Sequence, residues 1–309
     1  MKAEHTSVML DRCITLLAPA IEKSSSPVVV DATLGLGGHS YALLEKFPQL
    51  RIVGLDRDHS AITKAQDRLN TFHNRVTIIH AIYDEMPSVL DKLGLTFVDG
   101  ILFDLGVSSL QLDQSERGFS YSHSAPLDMR MDQSQGMTAH DVLDSYTRND
   151  LVRVIREYGE ERFATRIVDN IIEARSAGAL NTTTDLAELV KRSIPAATRR
   201  VGGNPAKRTF QALRIEVNQE LAVLERAIPR AMERLTIGGR MVVMSFQSLE
   251  DKIVKKFFAA ATQSLTPREL PIEIAELAAK FQLVSAEVTK QQQMKSKKIH
   301  VHNPSDCVR

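Results

Sequence analysis

Three aspartates, each closing a short apolar run, have the type and spacing to bind a ligand. Asp31 follows Val28-Val29-Val30, Asp56 follows Arg51-Ile-Val-Gly-Leu55, and Asp104 follows Gly100-Ile-Leu-Phe103. Aliphatic and β-branched runs of this length read as buried strands, and the carboxyl ends of parallel strands line the ligand crevice of open α/β sheets. After the first run comes Asp31-Ala-Thr-Leu-Gly35-Leu-Gly37-Gly38-His39, whose glycines permit a tight turn and close backbone approach at a helix N-terminus. Asp56 stands 19 positions beyond Gly37, near the spacing of about 20 at which an acid reaches ribose hydroxyls. A dinucleotide fingerprint needs glycine at position 40, where this chain has Ser40, and would set a pyrophosphate beside Asp31. Carboxylates repel a pyrophosphate and attract a sulfonium and an ammonium, so the loop reads as a site for S-adenosylmethionine, with a nicotinamide dinucleotide as the disfavoured alternative. Tyr83, after a third strand over 76–79, stands where a side chain would flank the adenine.

Helices at 40–47 and 60–69, with apolar residues three and four apart, make these runs repeated βα units around a parallel sheet. The rhythm breaks after Asp104. Residues 108–135 are rich in Ser, Asp and Gln and read as a long ordered loop, and 138–194 turn helical. A long helix over 209–235, a Gly238-Gly239 turn, a strand over 240–245 and a helix over 251–261 resume the βα pattern. The expected organisation is a discontinuous ligand-binding domain, 1–113 with 206–309, and an inserted loop and helical substrate-recognition domain, 114–205.

Composition narrows the class. With 309 residues, 43% hydrophobic and 25% charged, the chain has globular proportions. No apolar run approaches the roughly 20 residues of a membrane span, and the first residues lack the pattern of a secretory leader, so the expected location is the cytoplasm. Two cysteines, Cys13 and Cys307, exclude a disulfide framework or a cysteine-rich zinc site. The net charge of +1 is unevenly spread: Lys191, Arg192, Arg199, Arg200, Lys207, Arg208 and Arg214 occur with no acid between the first and last of them, and Lys290, Lys295, Lys297 and Lys298 recur near the end. Such clusters suit a phosphate backbone or a solvated basic face. Lys207, Arg208 and Arg214 are the best candidates for phosphate contact, against the alternative of ion pairs to Glu216 and Glu220.

Longer polar blocks carry a more specific signal. His5-Thr-Ser-Val-Met-Leu10, the loop through His39, Asp56-Arg-Asp58, Asp104-Leu-Gly-Val-Ser-Ser-Leu-Gln-Leu-Asp113, Glu116-Arg-Gly-Phe-Ser120, Leu127-Asp-Met-Arg-Met-Asp132, Gly159-Glu-Glu-Arg-Phe-Ala164, the block from Asn204 to Ile215, and Ser245-Phe-Gln-Ser-Leu-Glu-Asp251 together resemble the bacterial 16S ribosomal RNA cytosine-N4 methyltransferases. The resemblance implies an α/β fold, a class I methyltransferase Rossmann-like doubly wound sheet with an inserted helical subdomain. It also implies S-adenosylmethionine as cofactor, contacted by Gly37, Gly38, His39, Asp56, Tyr83, Asp104 and Gln111, and 16S rRNA as partner, in an assembled small subunit near the decoding centre. Two departures stand out: Gln247 occupies a position usually held by His in relatives, and the tail from His302 to Arg309 is a shortened form of their basic ending.

The chemistry agrees with an amine target. Methylation at cytosine C5 needs a cysteine nucleophile, and none lies between Cys13 and Cys307. Transfer to an exocyclic amine is a direct displacement dominated by positioning. Asp104-Leu-Gly-Val stands where many amino-methyltransferases carry Asp/Asn-Pro-Pro-aromatic, with the Asp accepting from the amine; the two prolines are missing here, a departure that counts against a direct role, and Asp104 is the one candidate catalytic residue. A target base must leave its stack, and Phe119, Tyr121 and Arg130 are candidates to hold it, against simple loop packing. A non-catalytic ribosome assembly factor retaining the same fold is the alternative function.

Overall fold

The computed structural model describes residues 7–196, 204–267, 272, 274–285 and 297–302. Arg199, Arg200, Lys290, Lys295 and Cys307 lie outside them. The chain divides into two compact units, residues 1–106 with 221–309, and Val107–Glu220.

The first unit is built on a seven-stranded sheet of order β3-β2-β1-β4-β5-β7-β6, comprising β1 (Val28–Asp31), β2 (Arg51–Asp56), β3 (Val76–His80), β4 (Val98–Asp104), β5 (Leu235–Ser245), β6 (Gln282–Ser285) and β7 (Lys297–His302). The first five strands in that order run parallel, while β7 pairs antiparallel with both β5 and β6. This is the doubly wound α/β sheet expected from the sequence. All four residues of β1 are buried, as in a strand covered on both faces. One face packs Val30, Leu55, Ile101, Phe103 and Val243 against Leu224, Ile228 and Phe258, and the other packs Val29, Leu102 and Met244 against Leu17, Leu43 and Leu69. Register aligns Asp31 with Gly54 and Leu102, so Asp31, Asp56 and Asp104 all close their strands along one edge of the sheet. The chain order reverses between β1 and β4, the point at which open α/β sheets bind ligands.

Three elements add to or differ from the sequence expectation. An amphipathic helix over Leu10–Lys23 carries Pro19 within it and buries Cys13, Leu16, Leu17 and Ile21. The helix expected over 209–235 is two, Lys207–Asn218 and Glu220–Met232, separated at Gln219 in the left-handed region (φ +51°). β5 begins at Leu235 rather than 240, absorbing Gly238 and Gly239 where its register against β4 shifts between Val98 and Gly100. No helix among the described residues is long and apolar enough to cross a membrane.

The second unit is helical: Ser109–Asp113, Ala139–Ser145, Arg148–Glu157, Ala164–Ser176, Thr183–Ser193 and Lys207–Asn218. Its bounds, 107–220, are wider than the expected 114–205, because Phe210 and Leu213 of the last helix join Leu151, Ile155, Ile167 and Leu186 in one apolar core. Thr138, Thr147 and Thr182 each cap a helix, accepting from the N–H three residues on, where an Asp follows. The stretch expected as a loop over 108–135 holds a short helix and a single 3₁₀ turn at Ser115–Arg117, and side chains clamp the rest. The buried Arg117 guanidinium donates to the carbonyls of Arg130 (3.0 Å) and Met131 (2.9 Å). Asn218 accepts from Met131 N–H (2.7 Å) and donates to Met129 O (2.8 Å), holding Met129 at φ +61°.

Substituting Asn218→Ala leaves that buried N–H and carbonyl unpaired, at about 1–3 kcal/mol. Chemical denaturation of the variant is expected to show a loss of that size; an unchanged midpoint would mean the clamp is dispensable.

Candidate active site

The strand ends and the loop after β1 are held together by hydrogen bonds that the acids themselves accept. Asp31, fully buried, accepts from the Ser40 hydroxyl (2.7 Å). The loop turns through Gly35 (φ +52°) and Gly37 (φ +73°), values that favour glycine, and Gly37 caps the Gly38–Lys46 helix. Asp56 accepts from Gly35 N–H (2.7 Å) and from Asp58 N–H (2.8 Å), so one carboxylate fixes both the glycine turn and the start of the His59–Leu69 helix. Asp104 is tied in through its backbone, whose N–H donates to Thr33 Oγ1 (2.6 Å). His39, buried on the first turn of its helix, donates from Nε2 to the Val8 carbonyl (3.1 Å), and its Nδ1 lies 3.8 Å from Asp104 Oδ2. A carbonyl only accepts, so Nε2 bears the proton. Tyr83 follows β3 and packs edge-on against Phe103 at 5.6 Å.

Glycines 37 and 38 also answer to packing. A Cβ on Gly37 would press on Leu69 at 3.1 Å, and one on Gly38 would collide with the Ser7 hydroxyl.

Electrostatics is the distinctive property of this cluster. Desolvation raises the Asp56 carboxyl to about 6. Desolvation, reinforced by the charges of Asp31 and Glu250, raises Asp104 to about 7. Burial likewise raises Asp31 and lowers His39, favouring the neutral imidazole. Among the described residues none of the three aspartates pairs with a Lys or Arg. A ligand bearing positive charge and hydroxyl donors matches this set of acceptors, and S-adenosylmethionine has both; a pyrophosphate has neither.

Gly37, Gly38, His39, Asp56 and Asp104 thus come together at one sheet edge, with Tyr83 beyond the neighbouring strand. Gln111 lies in the second unit, where its Oε1 accepts from Ser108 N–H (3.1 Å) in a capping box. The four expected RNA contacts divide. Arg130 forms a two-point pair with Asp128 (2.8 and 3.0 Å), and Arg214 does the same with Glu220 (2.8 and 2.9 Å). Arg208 is 57% exposed but donates to the Glu160 carbonyl (3.2 Å) and stands 4.0 Å from a Glu161 carboxylate oxygen, whereas Lys207 offers its charge to solvent. Phe119 is buried in the helical core, and Tyr121 packs edge-on against Phe210 at 5.5 Å.

Sequence reasoning missed three contributors. Thr33 was hidden inside the loop, and Ser40 was read only as a missing glycine. Glu250, buried behind the site, accepts from Phe246 N–H (3.1 Å) and Gln247 Nε2 (2.8 Å). The spacing Gln247-x-x-Glu250 is that of a helix capping box and could have signalled it.

The sequence profile of the MraW methylase family matches residues 2–305. Ribosomal RNA small subunit methyltransferase H of Salinispora arenicola is 54% identical over 285 residues, 92% of this chain and 77% of that protein. The protein of the same name from a Parafrankia species is 56% identical over 272 residues, 88% of this chain and 83% of its own length. The solved rRNA methylase of Streptococcus thermophilus superposes with a TM-score of 0.47 at 10% identity, over 98% of this chain and 99% of that one.

A carboxyl whose proton affinity is higher folded than unfolded stabilises the fold below its unfolded value and withdraws that stability as pH rises through its folded value. For Asp104 the window runs from its ordinary 3.8 to about 7. With 28% of its side chain exposed, solvent screens part of the effect, and about 1–2 kcal/mol is expected. Denaturation of the ligand-free protein at pH 5 and pH 8 should show wild type losing more stability across that interval than Asp104→Asn; equal losses would mean the carboxyl titrates normally.

Proposed function

This chain belongs to the MraW methylase family, and we propose that it transfers the methyl group of S-adenosylmethionine to the N4 amine of a cytidine in 16S ribosomal RNA, near the decoding centre of the small subunit. The observation that carries this reading is the run of three carboxylates at the ends of β2, β1 and β4, desolvated and without a cationic partner among the described residues.

S-adenosylmethionine supplies an electrophilic methyl group, and the protein supplies position and charge. Asp56 is suited to receive ribose hydroxyls on the free faces of its oxygens while it keeps the glycine turn in shape. Gly35 and Gly37 let the backbone approach closely, and Tyr83 offers a ring edge to the adenine. Asp104 stands at the switch point of the sheet, where its carboxylate is suited to accept a hydrogen bond from the target amine and orient the nitrogen lone pair. A proton affinity near neutrality lets the same group take the proton that the methylated amine sheds. An assembly factor that only bound RNA would have no use for these desolvated acids, which disfavours the non-catalytic alternative.

The helical unit, 107–220, is assigned the RNA. Lys207 is its first phosphate contact and Arg208, exposed and only loosely tied to Glu161, its second, whereas the two-point pairs of Arg130 and Arg214 shape the surface. Work on an assembled small subunit in the cytoplasm fits the rRNA substrate.

Incubation with small subunits from cells lacking this modification, followed by nucleoside digestion, is expected to yield N4-methylcytidine; methyl found only on adenosine or on protein would contradict the proposal. Lys207→Ala and Arg208→Ala should each weaken RNA binding and reduce its salt slope by about one. Arg214→Ala should instead lower the denaturation midpoint with the slope retained; the reverse pattern would transfer the phosphate role to Arg214.

A further inference from the structure

Methyl transfer to an amine leaves a proton to be placed. The N4 nitrogen forms the new C–N bond, and the C–S pair departs on sulfur as neutral S-adenosylhomocysteine. The methylated nitrogen then carries the positive charge and one proton too many. Asp104 is the acceptor that the functional reading places at the amine, and His39 stands beside it. The Val8 carbonyl fixes the Nε2–H tautomer of His39 at 3.1 Å, so Nδ1 carries a lone pair, and that lone pair lies 3.8 Å from Asp104 Oδ2. Such contacts are often long without substrate and tighten in the reacting complex. Asp31 and Asp104 are the charged groups that face the imidazole, the Glu250 charge acts on Asp104 as well, and the described residues bring no Lys or Arg into ion-pair reach of these aspartates.

We propose that His39 is a positioning residue for proton removal: its Nδ1 accepts a hydrogen bond from the Asp104 carboxyl once that group has taken the amine proton. The inference rests on the methyltransferase reading above. In balanced form, the proton leaves N4 for an Asp104 oxygen, is shared with His39 Nδ1, and returns to water after the products leave; no other group is consumed. The Val8 carbonyl has a purpose in this scheme, because rotation of the ring or a change of tautomer would turn an N–H toward Asp104 and remove the acceptor.

His39→Gln can keep an amide N–H for the Val8 carbonyl and replaces the basic Nδ1 lone pair with a weakly basic amide oxygen. Single-turnover methyl transfer at saturating S-adenosylmethionine is expected to slow about tenfold or more. Its acid limb should move at least half a pH unit downward, because the proton on Asp104 loses the imidazole acceptor, whatever change in cofactor affinity accompanies it. Weaker cofactor binding with the acid limb in place would make His39 a cofactor contact only and overturn the proposal. Nitrogen-15 NMR of the ligand-free wild-type protein is an arm independent of activity. It should show a neutral Nε2–H imidazole at pH 7.5 whose Nδ1 signal changes in Asp104→Asn; an Nδ1–H tautomer, an imidazolium, or indifference to Asp104 would overturn it. Absence of N4-methylcytidine from wild type would overturn the functional reading itself, whereas the NMR outcome bears on the pair alone.

Discussion

Withdrawing a carboxylate from water is costly unless hydrogen bonds or opposite charge replace the lost hydration, and this fold does so at three adjacent strand ends. The replacement is partial. Ser40 and Thr33 N–H serve Asp31, and Gly35 and Asp58 N–H groups serve Asp56, yet no ammonium or guanidinium among the described residues pairs with any of the three. The protein therefore holds a cluster of carboxyl groups without a fixed counter-charge, partly protonated near neutrality, whose shape is set by its own backbone. The same hydrogen bonds that soften the cost also fix the loop, since losing Asp56 would free both Gly35 and the start of the following helix. Ligand affinity and local order are thus two consequences of one arrangement. A cation that settles there gains more than it would from carboxylates in water, because the surroundings screen less.

The sheet makes this possible by register. Parallel pairing of β2, β1 and β4 puts their carboxyl ends on one edge. The helical unit obeys a different logic. Its threonine caps and the Asn218 and Arg117 clamps spend polar groups on shape, so its basic residues split into those occupied inside the fold and those left to solvent.

Much of the sheet could be read from the chain because β1 to β4 are short apolar runs that each end in, or lead to, a polar residue. The spacing from Gly37 to Asp56 likewise pointed to the sheet edge where the structure gathers the candidate site residues. What escaped was set by partners distant in sequence or by backbone states without a signature. Arg130 looks like a free cation until Met129 turns back at positive φ and Asp128 takes the guanidinium. Gln219 gives no warning that it will break a helix, since a left-handed glutamine is chosen by the packing around it. Gly238 and Gly239 read as a turn, and only the pairing with β4 makes them strand. The proton affinities of Asp56 and Asp104 depend on desolvation, which no local pattern encodes.

The most direct measurement is the proton balance of S-adenosylmethionine binding, obtained by titration calorimetry at pH 6.5 in buffers of differing ionisation enthalpy. Desolvated carboxylates that are partly protonated in the free protein must ionise as the cation arrives, so binding should release protons, and the release should shrink in Asp104→Asn and vanish near pH 8.5. Binding without proton release at pH 6.5, or with proton uptake, would contradict the account.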